Sequence, residues 1–266
     1  MVNKNLEKGL LTFSALFIFL CTFGQTSFNS FPKSSVKVSD INTRKEDTLR
    51  KQFEAKGLTW PAKYIYIRSF KYDAQMELWA KNSLKEPFKL FKTYKVCMQS
   101  GTTGPKRLQG DFQVPEGVYH INEFNPNSNY HLSMGLNYPN SSDRVLSDSL
   151  RPGGDIYIHG SCVSVGCIPL TDEEIEEVYL IANYAHLNGE EFIPVHVFPI
   201  KYSVKKSVEY LATAIKNKEG LKKFESELKE IYDYFNEHKQ LPIVLVNKKG
   251  EYLINRSENN LSLVSH

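Results

Sequence analysis

Long apolar runs are scarce in this 266-residue chain. The clearest, Leu10 to Phe23, falls short of the roughly 20 residues that a membrane-spanning helix needs. Lys4 and Lys8 precede it, and Thr22 and Gly24 offer small residues before Gln25, which is the pattern of a secretory signal. Residues 1–24 are therefore expected to be a signal peptide, with an uncleaved anchor as the alternative. Bulky Leu20 before Cys21 argues against a lipoprotein cut. An excess of one charge is also missing. With 33 Lys and Arg against 30 Asp and Glu, the net charge of +3 gives no basis for a nucleic-acid surface. Pairs such as Lys205-Lys206 and Lys248-Lys249 read as solvated faces. The chain has no internal repeat and no low-complexity tract. It has no His-Glu-x-x-His, and Gly101-Thr-Thr-Gly104 lacks the Gly-Lys-Ser/Thr ending of a phosphate loop, so neither a metal nor another cofactor is expected. Cysteine is rare. If Cys21 leaves with the signal, Cys97, Cys162 and Cys167 remain, and an odd count in an oxidising compartment leaves one thiol free or bonded to another molecule.

What is present reads as an α+β chain. Residues 25–56, rich in Ser, Asn, Lys and Asp, are expected to be a mobile leader. Short strands then follow, at Tyr64 to Arg68, Met76 to Ala80, Phe88 to Met98, Gly117 to Ile121, Tyr130 to Met134 and Asp155 to His159, where aromatic and β-branched residues sit between polar turns. Gly101 to Gly110 is a loop and Tyr138 to Asp143 a turn. Thr171-Asp-Glu-Glu174 forms a capping box, and Ile175, Val178, Ile181, Ala182 and Ala185 continue at helical spacing to Asn188-Gly189. The acids from Asp172 to Glu177 are explained by the helix dipole without a catalytic role. Ile193 to Ile200 returns to strand. Two helices, Ser203 to Lys216 and one along Leu221, Phe224, Leu228, Ile231 and Phe235, precede a hairpin through Asn247-Lys-Lys-Gly250. This organisation places a β-rich domain over 57–201, with one crossing helix, and a small α+β extension over 202–266.

The reactive residues gather in one stretch. In Ile158-His-Gly-Ser-Cys-Val-Ser-Val-Gly-Cys167, a strand ends at His159 and a turn containing Gly and Ser could return Cys167 to the imidazole. A thiol is nucleophilic only as the thiolate, at an unperturbed pKa of about 8.5, and an adjacent imidazole can take its proton and later protonate a leaving amine. Gly160 and Gly166 permit close backbone approach. The N–H groups of Gly166 and Cys167 are candidates for an oxyanion hole. On spacing alone, a disulfide partner beside a His is the blander reading.

The letters themselves carry more. Tyr157-Ile-His159-Gly160 followed by Ser164-Val-Gly166-Cys167 resembles the signature of L,D-transpeptidases of the YkuD type, and most of all the YafK-like branch. Thr93 to Cys97, Gly104-Pro-Lys106, Gln109-Gly-Asp111, Pro115 to Tyr119, Tyr138-Pro-Asn140 and Tyr232 to Phe235 are similar to that branch in order, so the resemblance spans about Tyr64 to Ile254. Pro169 stands where the wider family has a basic residue, and the His-to-Cys loop is short; both bear on donor and acceptor choice. The resemblance implies a β-sandwich-like domain acting on the third-residue diamino acid of peptidoglycan stem peptides. In that reading Cys167 is the nucleophile, His159 the base, and the Gly160 carbonyl orients the imidazole. Apart from the resemblance, Ser164, His131 and Arg144 are candidate substrate contacts beside Tyr130 and Tyr138, although a core or rim position is the preferred reading of His131. His196 is expected to be packing, and His120, His186 and His238 fall in no ligand spacing. A disulfide between Cys97 and Cys162 would leave Cys167 free; two buried thiols, or a Cys162–Cys167 bridge, are the alternatives. Three other functions stay open: a hydrolase on the same site that cuts cross-links or a cell-wall-attached protein, a non-catalytic peptidoglycan-binding module, and a zinc peptidase. The expected location is the periplasm or cell envelope.

Overall fold

A computed structural model describes residues 36–255. The expected signal peptide and the start of the expected leader lie outside the described residues, as does the chain from 256 onward. The described part opens with helix α1 (Val36–Glu54), followed by strands β1 (Tyr64–Phe70), β2 (Gln75–Lys81) and β3 (Lys89–Lys95). After a long loop come β4 (Gly117–Asn125), β5 (Ser133–Leu136), the short helix α2 (Ser141–Leu146), β6 (Tyr157–His159) and β7 (Ile168–Pro169). Helix α3 (Asp172–Leu187) leads to β8 (Pro194–Phe198), helices α4 (Lys205–Ala214) and α5 (Glu219–His238), and a hairpin of β9 (Ile243–Val246) and β10 (Tyr252–Asn255).

The α+β class is as expected. Eight strands form one sheet in the order β3-β2-β1-β8-β4-β5-β6-β7. β8 lies parallel to β1 and antiparallel to β4, so it is inserted between the first hairpin and the rest. β4 serves two neighbours: Gly117–His120 pair with β8, and Ile121–Asn125 pair with β5 across a register shift between Ile121 and Glu123. Such a shift bends a strand, and here it carries the chain from one half of the sheet into the other. β6 and β7 lie at the far end of that second half.

Central β1 is buried along nearly its whole length, as a strand covered on both faces must be. Helix α5 covers one face. Phe235 packs its ring 4.7 Å from Tyr66 and 5.0 Å from Trp79, while Phe224, Leu228, Ile231 and Tyr232 cluster with Phe70 and Phe198. Helix α3 packs against β1, β5 and β6. It opens with the expected capping box, Thr171 Oγ1 accepting from Glu174 N–H and Glu174 Oε2 from Thr171 N–H, each at 3.3 Å. The α5 stripe is thus part of the main core.

Three local expectations are corrected. Residues 36–54 of the expected mobile leader form α1, because Val38, Ile41, Leu49 and Phe53 share a face that is buried. The expected turn at Tyr138 to Asp143 runs into α2, where Asn140 and Asp143 make a reciprocal capping box. His131, expected on a strand, precedes β5 in left-handed backbone with φ 69°.

Candidate active site

The site grows from the turn that joins β6 to β7. The two strands run parallel, pairing Ile158 with Ile168 and His159 with Pro169. Continuing that register by one residue sets Cys167 beside Tyr157, on the sheet face that His159 shares. The Tyr157 N–H does donate to Cys167 Sγ, at 3.4 Å.

Each residue of the intervening turn has a local reason. Gly160 N–H donates to the carbonyls of Tyr130 (3.0 Å) and Leu132 (3.2 Å). A Cβ at Gly160 would stand 3.0 Å from the Tyr130 carbonyl oxygen and 2.6 Å from Asp172 Oδ1, so only glycine fits without displacement. Ser161 and Cys162 are both left-handed, with φ of 66° and 45°, a conformation that costs ordinary residues energy unless neighbours hold it. Asp172 Oδ1 accepts the Ser161 N–H at 2.8 Å, and Cys162 is disulfide-bonded to Cys97 with α-carbons 5.5 Å apart. Cys97 N–H in turn donates to the Pro169 carbonyl at 3.1 Å, closing the bracket around β7. Gly166 has φ 140°, and a Cβ there would lie 3.1 Å from the Gln113 carbonyl oxygen.

His159 is buried, and its Nδ1 lies 2.6 Å from the Gly160 carbonyl oxygen. A carbonyl can only accept, so Nδ1 carries the proton and Nε2 is left as a free base. The Tyr130 ring sits over the imidazole, centroids 4.7 Å apart. Burial pushes the imidazole pKa down, partly countered by the Gly160 carbonyl. Cys167 is the free cysteine among the described residues and is half-buried. Its thiol donates to the Asp155 carbonyl at 3.6 Å. Burial pushes the thiol pKa up; the Tyr157 N–H opposes this, the Asp155 charge adds to it, and Lys106 lowers it. Burial thus favours the uncharged form of each group, the thiol and the neutral imidazole.

The remaining candidates are placed less simply. Ser164 Oγ donates to the Cys167 carbonyl at 2.8 Å and accepts the Gly166 N–H at 3.1 Å. Its hydroxyl thus braces the turn instead of reaching outward, and the Gly166 N–H expected for the oxyanion hole is engaged within that turn. His131 lies behind Gly160, its Nε2 2.9 Å from Glu176 Oε1. Arg144 is exposed on α2, whose buried Ser142 and Asp143 are turned to other partners, Ser142 donating to the Gly250 carbonyl at 2.5 Å and Asp143 accepting from Arg107 at 2.8 Å. The structure does not bring Arg144 to the turn. His196 packs as expected, fully buried and bonded to the Tyr66 hydroxyl at 2.9 Å. Asp155 and Gln113 were given no role from sequence, Tyr157 entered only as a letter of the signature, and Asp172 and Glu176 only as acids of the helix start. The Asp172 contribution had a signal, an acid at the helix start, but the helix dipole already accounted for it. Among the described residues no group of three or more His, Cys, Asp or Glu is arranged to hold a metal ion.

Comparison with known proteins gives the family. The family YkuD, L,D-transpeptidase catalytic domain, matches residues 70–197. The chain is 31% identical over 194 residues to "Putative L,D-transpeptidase YafK" of Escherichia coli strain K12, covering 72% of this chain and 74% of that one. Among solved structures it is similar to the helical cell shape determining protein Pgp2 of Campylobacter jejuni, at 16% identity and TM-score 0.40 over 76% of this chain and 80% of that one. Bd1075 of Bdellovibrio bacteriovorus is similar at 19% identity and TM-score 0.39, over 71% and 79%.

Proposed function

This chain belongs to the L,D-transpeptidase family, whose substrates are peptidoglycan peptides, and we propose that it transfers acyl groups on peptidoglycan stem peptides through a thioester on Cys167. What supports this is a free thiol on Cys167, just before the strand that pairs with β6, together with the β6 imidazole of His159, whose Nδ1 proton goes to the Gly160 carbonyl and whose Nε2 is left as the base.

In this mechanism His159 Nε2 removes the Cys167 proton as the sulfur attacks the carbonyl on the L-centre of the third-residue diamino acid. The Tyr157 N–H stabilises the developing thiolate. Negative charge moves to the carbonyl oxygen, where the Cys167 N–H is the donor available in the turn, and the Gly166 N–H joins it if Ser164 Oγ gives it up. Collapse breaks the peptide bond, and the imidazolium protonates the departing amine. An acceptor amine or water, deprotonated by His159, then attacks the thioester and regenerates the thiol. Aminolysis is transpeptidation and hydrolysis is carboxypeptidase or endopeptidase action; both share every step up to the thioester. A cell-wall-attached protein is a further candidate donor for the same chemistry.

The family and the Cys97–Cys162 disulfide point to a location outside the cytoplasm. We place the mature chain in the periplasm or envelope after loss of residues 1–24. The deciding experiment is mass spectrometry of defined muropeptides incubated with the enzyme in ¹⁸O-water. Loss of the residue after the diamino acid, with a new amide or with ¹⁸O in the product, is expected. Muropeptides left unchanged would end the reading.

A further inference from the structure

The wall behind the imidazole is held from outside the catalytic turn. Tyr130, whose ring covers His159, and Leu132 both accept the Gly160 N–H, so the segment between them sets where Gly160 and its carbonyl stand. His131 lies between those two acceptors in left-handed backbone, and a Cβ on Gly160 would come within 3.1 Å of the His131 Cβ. A β-carbon-bearing residue keeps such a conformation only where its surroundings hold it.

Two elements supply the hold. From α3, Glu176 Oε1 accepts the His131 Nε2 proton at 2.9 Å. From α1, Arg44 donates to the same Glu176 oxygen at 3.0 Å, Lys45 Nζ stands 3.7 Å from the other, and Lys37 Nζ donates to the His131 carbonyl. The Glu176 side chain is only 7% exposed and its His131 partner 23%, so that bond is well shielded, whereas Arg44 is 58% exposed and its contribution is more screened by solvent. Burial alone would raise the Glu176 pKa; Arg44 and His131 outweigh it and keep it a carboxylate. Lys45 also donates to the Glu173 carbonyl at 3.1 Å and sits 3.8 Å from Glu177, so α1 is pinned along the same helix turn.

We propose that His131 is a positioning residue for His159, locked by Glu176 together with Arg44 and Lys37, so that helix α1 forms part of the active-site support. The path runs from α1 through Glu176 and His131 to the Tyr130–Leu132 backbone, then to the Gly160 carbonyl and the imidazole. It rests on the assignment of Cys167 and His159 made above.

The test measures two things on the full mature chain: muropeptide turnover, and the pH profile of Cys167 alkylation by iodoacetamide. Alkylation needs no muropeptide, so it reads the thiol and its base even if the substrate assignment fails. His131→Ala and Arg44→Ala should each lower kcat by about 10- to 100-fold with KM within about twofold, as for a misplaced catalytic group. Both should move the alkylation profile in the same direction, and His131→Gln, which keeps a donor, should recover part of the loss. Arg50→Ala, on the same helix but paired with Glu46, should change neither readout. If His131→Ala fails to fold, Glu176→Gln of equal volume carries the same expectation. An unchanged kcat and alkylation profile in folded variants would overturn the proposal, and so would a raised KM at constant kcat, which would make His131 a substrate contact. A wild-type enzyme inert towards muropeptides, with alkylation still shifted by Arg44→Ala, would overturn the functional reading and leave the positioning role standing.

Discussion

Burial acts on the two reacting side chains in opposite senses, pushing the Cys167 thiol up and the His159 imidazole down. Both shifts favour the uncharged forms, and under the proposed mechanism proton transfer from Sγ to Nε2 would accompany substrate attack. The free enzyme should accordingly alkylate slowly near neutral pH, and its rate should climb as pH approaches the raised thiol pKa. A plateau already reached below about pH 7 would instead mean a preformed thiolate–imidazolium pair. Cys167→Ala should abolish turnover with the fold retained. His159→Ala should cost about 10²- to 10⁴-fold, and the double variant little more than the worse single one, since base and nucleophile act as a unit. These two residues and Gly160 were legible because they lie within ten residues of sequence. Their supports were not. Tyr130, His131, Asp172 and Glu176 come from separate elements, and the left-handed pair Ser161-Cys162 that aims the turn at Asp172 consists of residues that give no sign of that conformation.

Among the elements, the turn between β6 and β7 is fastened at both ends. The Cys97–Cys162 bond closes a 65-residue loop, worth about 4 kcal/mol in the chain-entropy model before strain is subtracted. Urea unfolding of Cys97→Ser should show most of that loss, and reductant should then destabilise the wild type but not the variant. At the other end Gly166→Ala meets both a left-handed φ and the Gln113 carbonyl, so a cost of about 1–3 kcal/mol and loss of turnover are expected. A Gly166→Ala enzyme of wild-type Tm and activity would show that the turn relaxes freely. The α3 helix was readable from its capping box and apolar period, whereas α1 escaped notice. Its stripe breaks between Ile41 and Leu49, where the inward position is Lys45, engaged with Glu176 and Glu177. A charge in the middle of an apolar face makes a packed helix look like a polar leader.

The whole molecule is tied across the sheet by a second buried set. Glu116 and Glu225 are 0% and 2% exposed, and Oε2 of the first and Oε1 of the second have no donor among the described residues. Lys71 pairs with Glu116 at 2.8 Å, and the Tyr202 hydroxyl lies 3.3 Å from Glu225 Oε2. Burial first, then the neighbouring Glu116 charge, pushes the Glu225 pKa up to about 10, so at neutral pH Glu225 holds its proton. The folded chain binds that proton more tightly than the unfolded one. Stability from this group is thus complete below the ordinary carboxylate pKa of 4.5 and falls as pH rises from there to about 10. Tyr202, raised by burial and by Glu225, adds loss in the same direction at higher pH. Glu225→Gln keeps a donor for Glu116 and should flatten the decline; an unchanged slope in denaturant midpoints would show that the proton lies elsewhere. The apolar face of α5 was legible from its period. That it buries against the main sheet was not, since sequence spacing gives a helix its face and says nothing of the face it meets.

The proposed function turns on a covalent intermediate at Cys167, which intact-protein mass spectrometry of enzyme quenched in acid during muropeptide turnover would detect. A mass increase equal to the acyl tripeptide fragment is expected, located on the Cys167 peptide, removed by hydroxylamine and absent from Cys167→Ala. Turnover that proceeds undiminished in Cys167→Ala, or an adduct on any other residue, would contradict it.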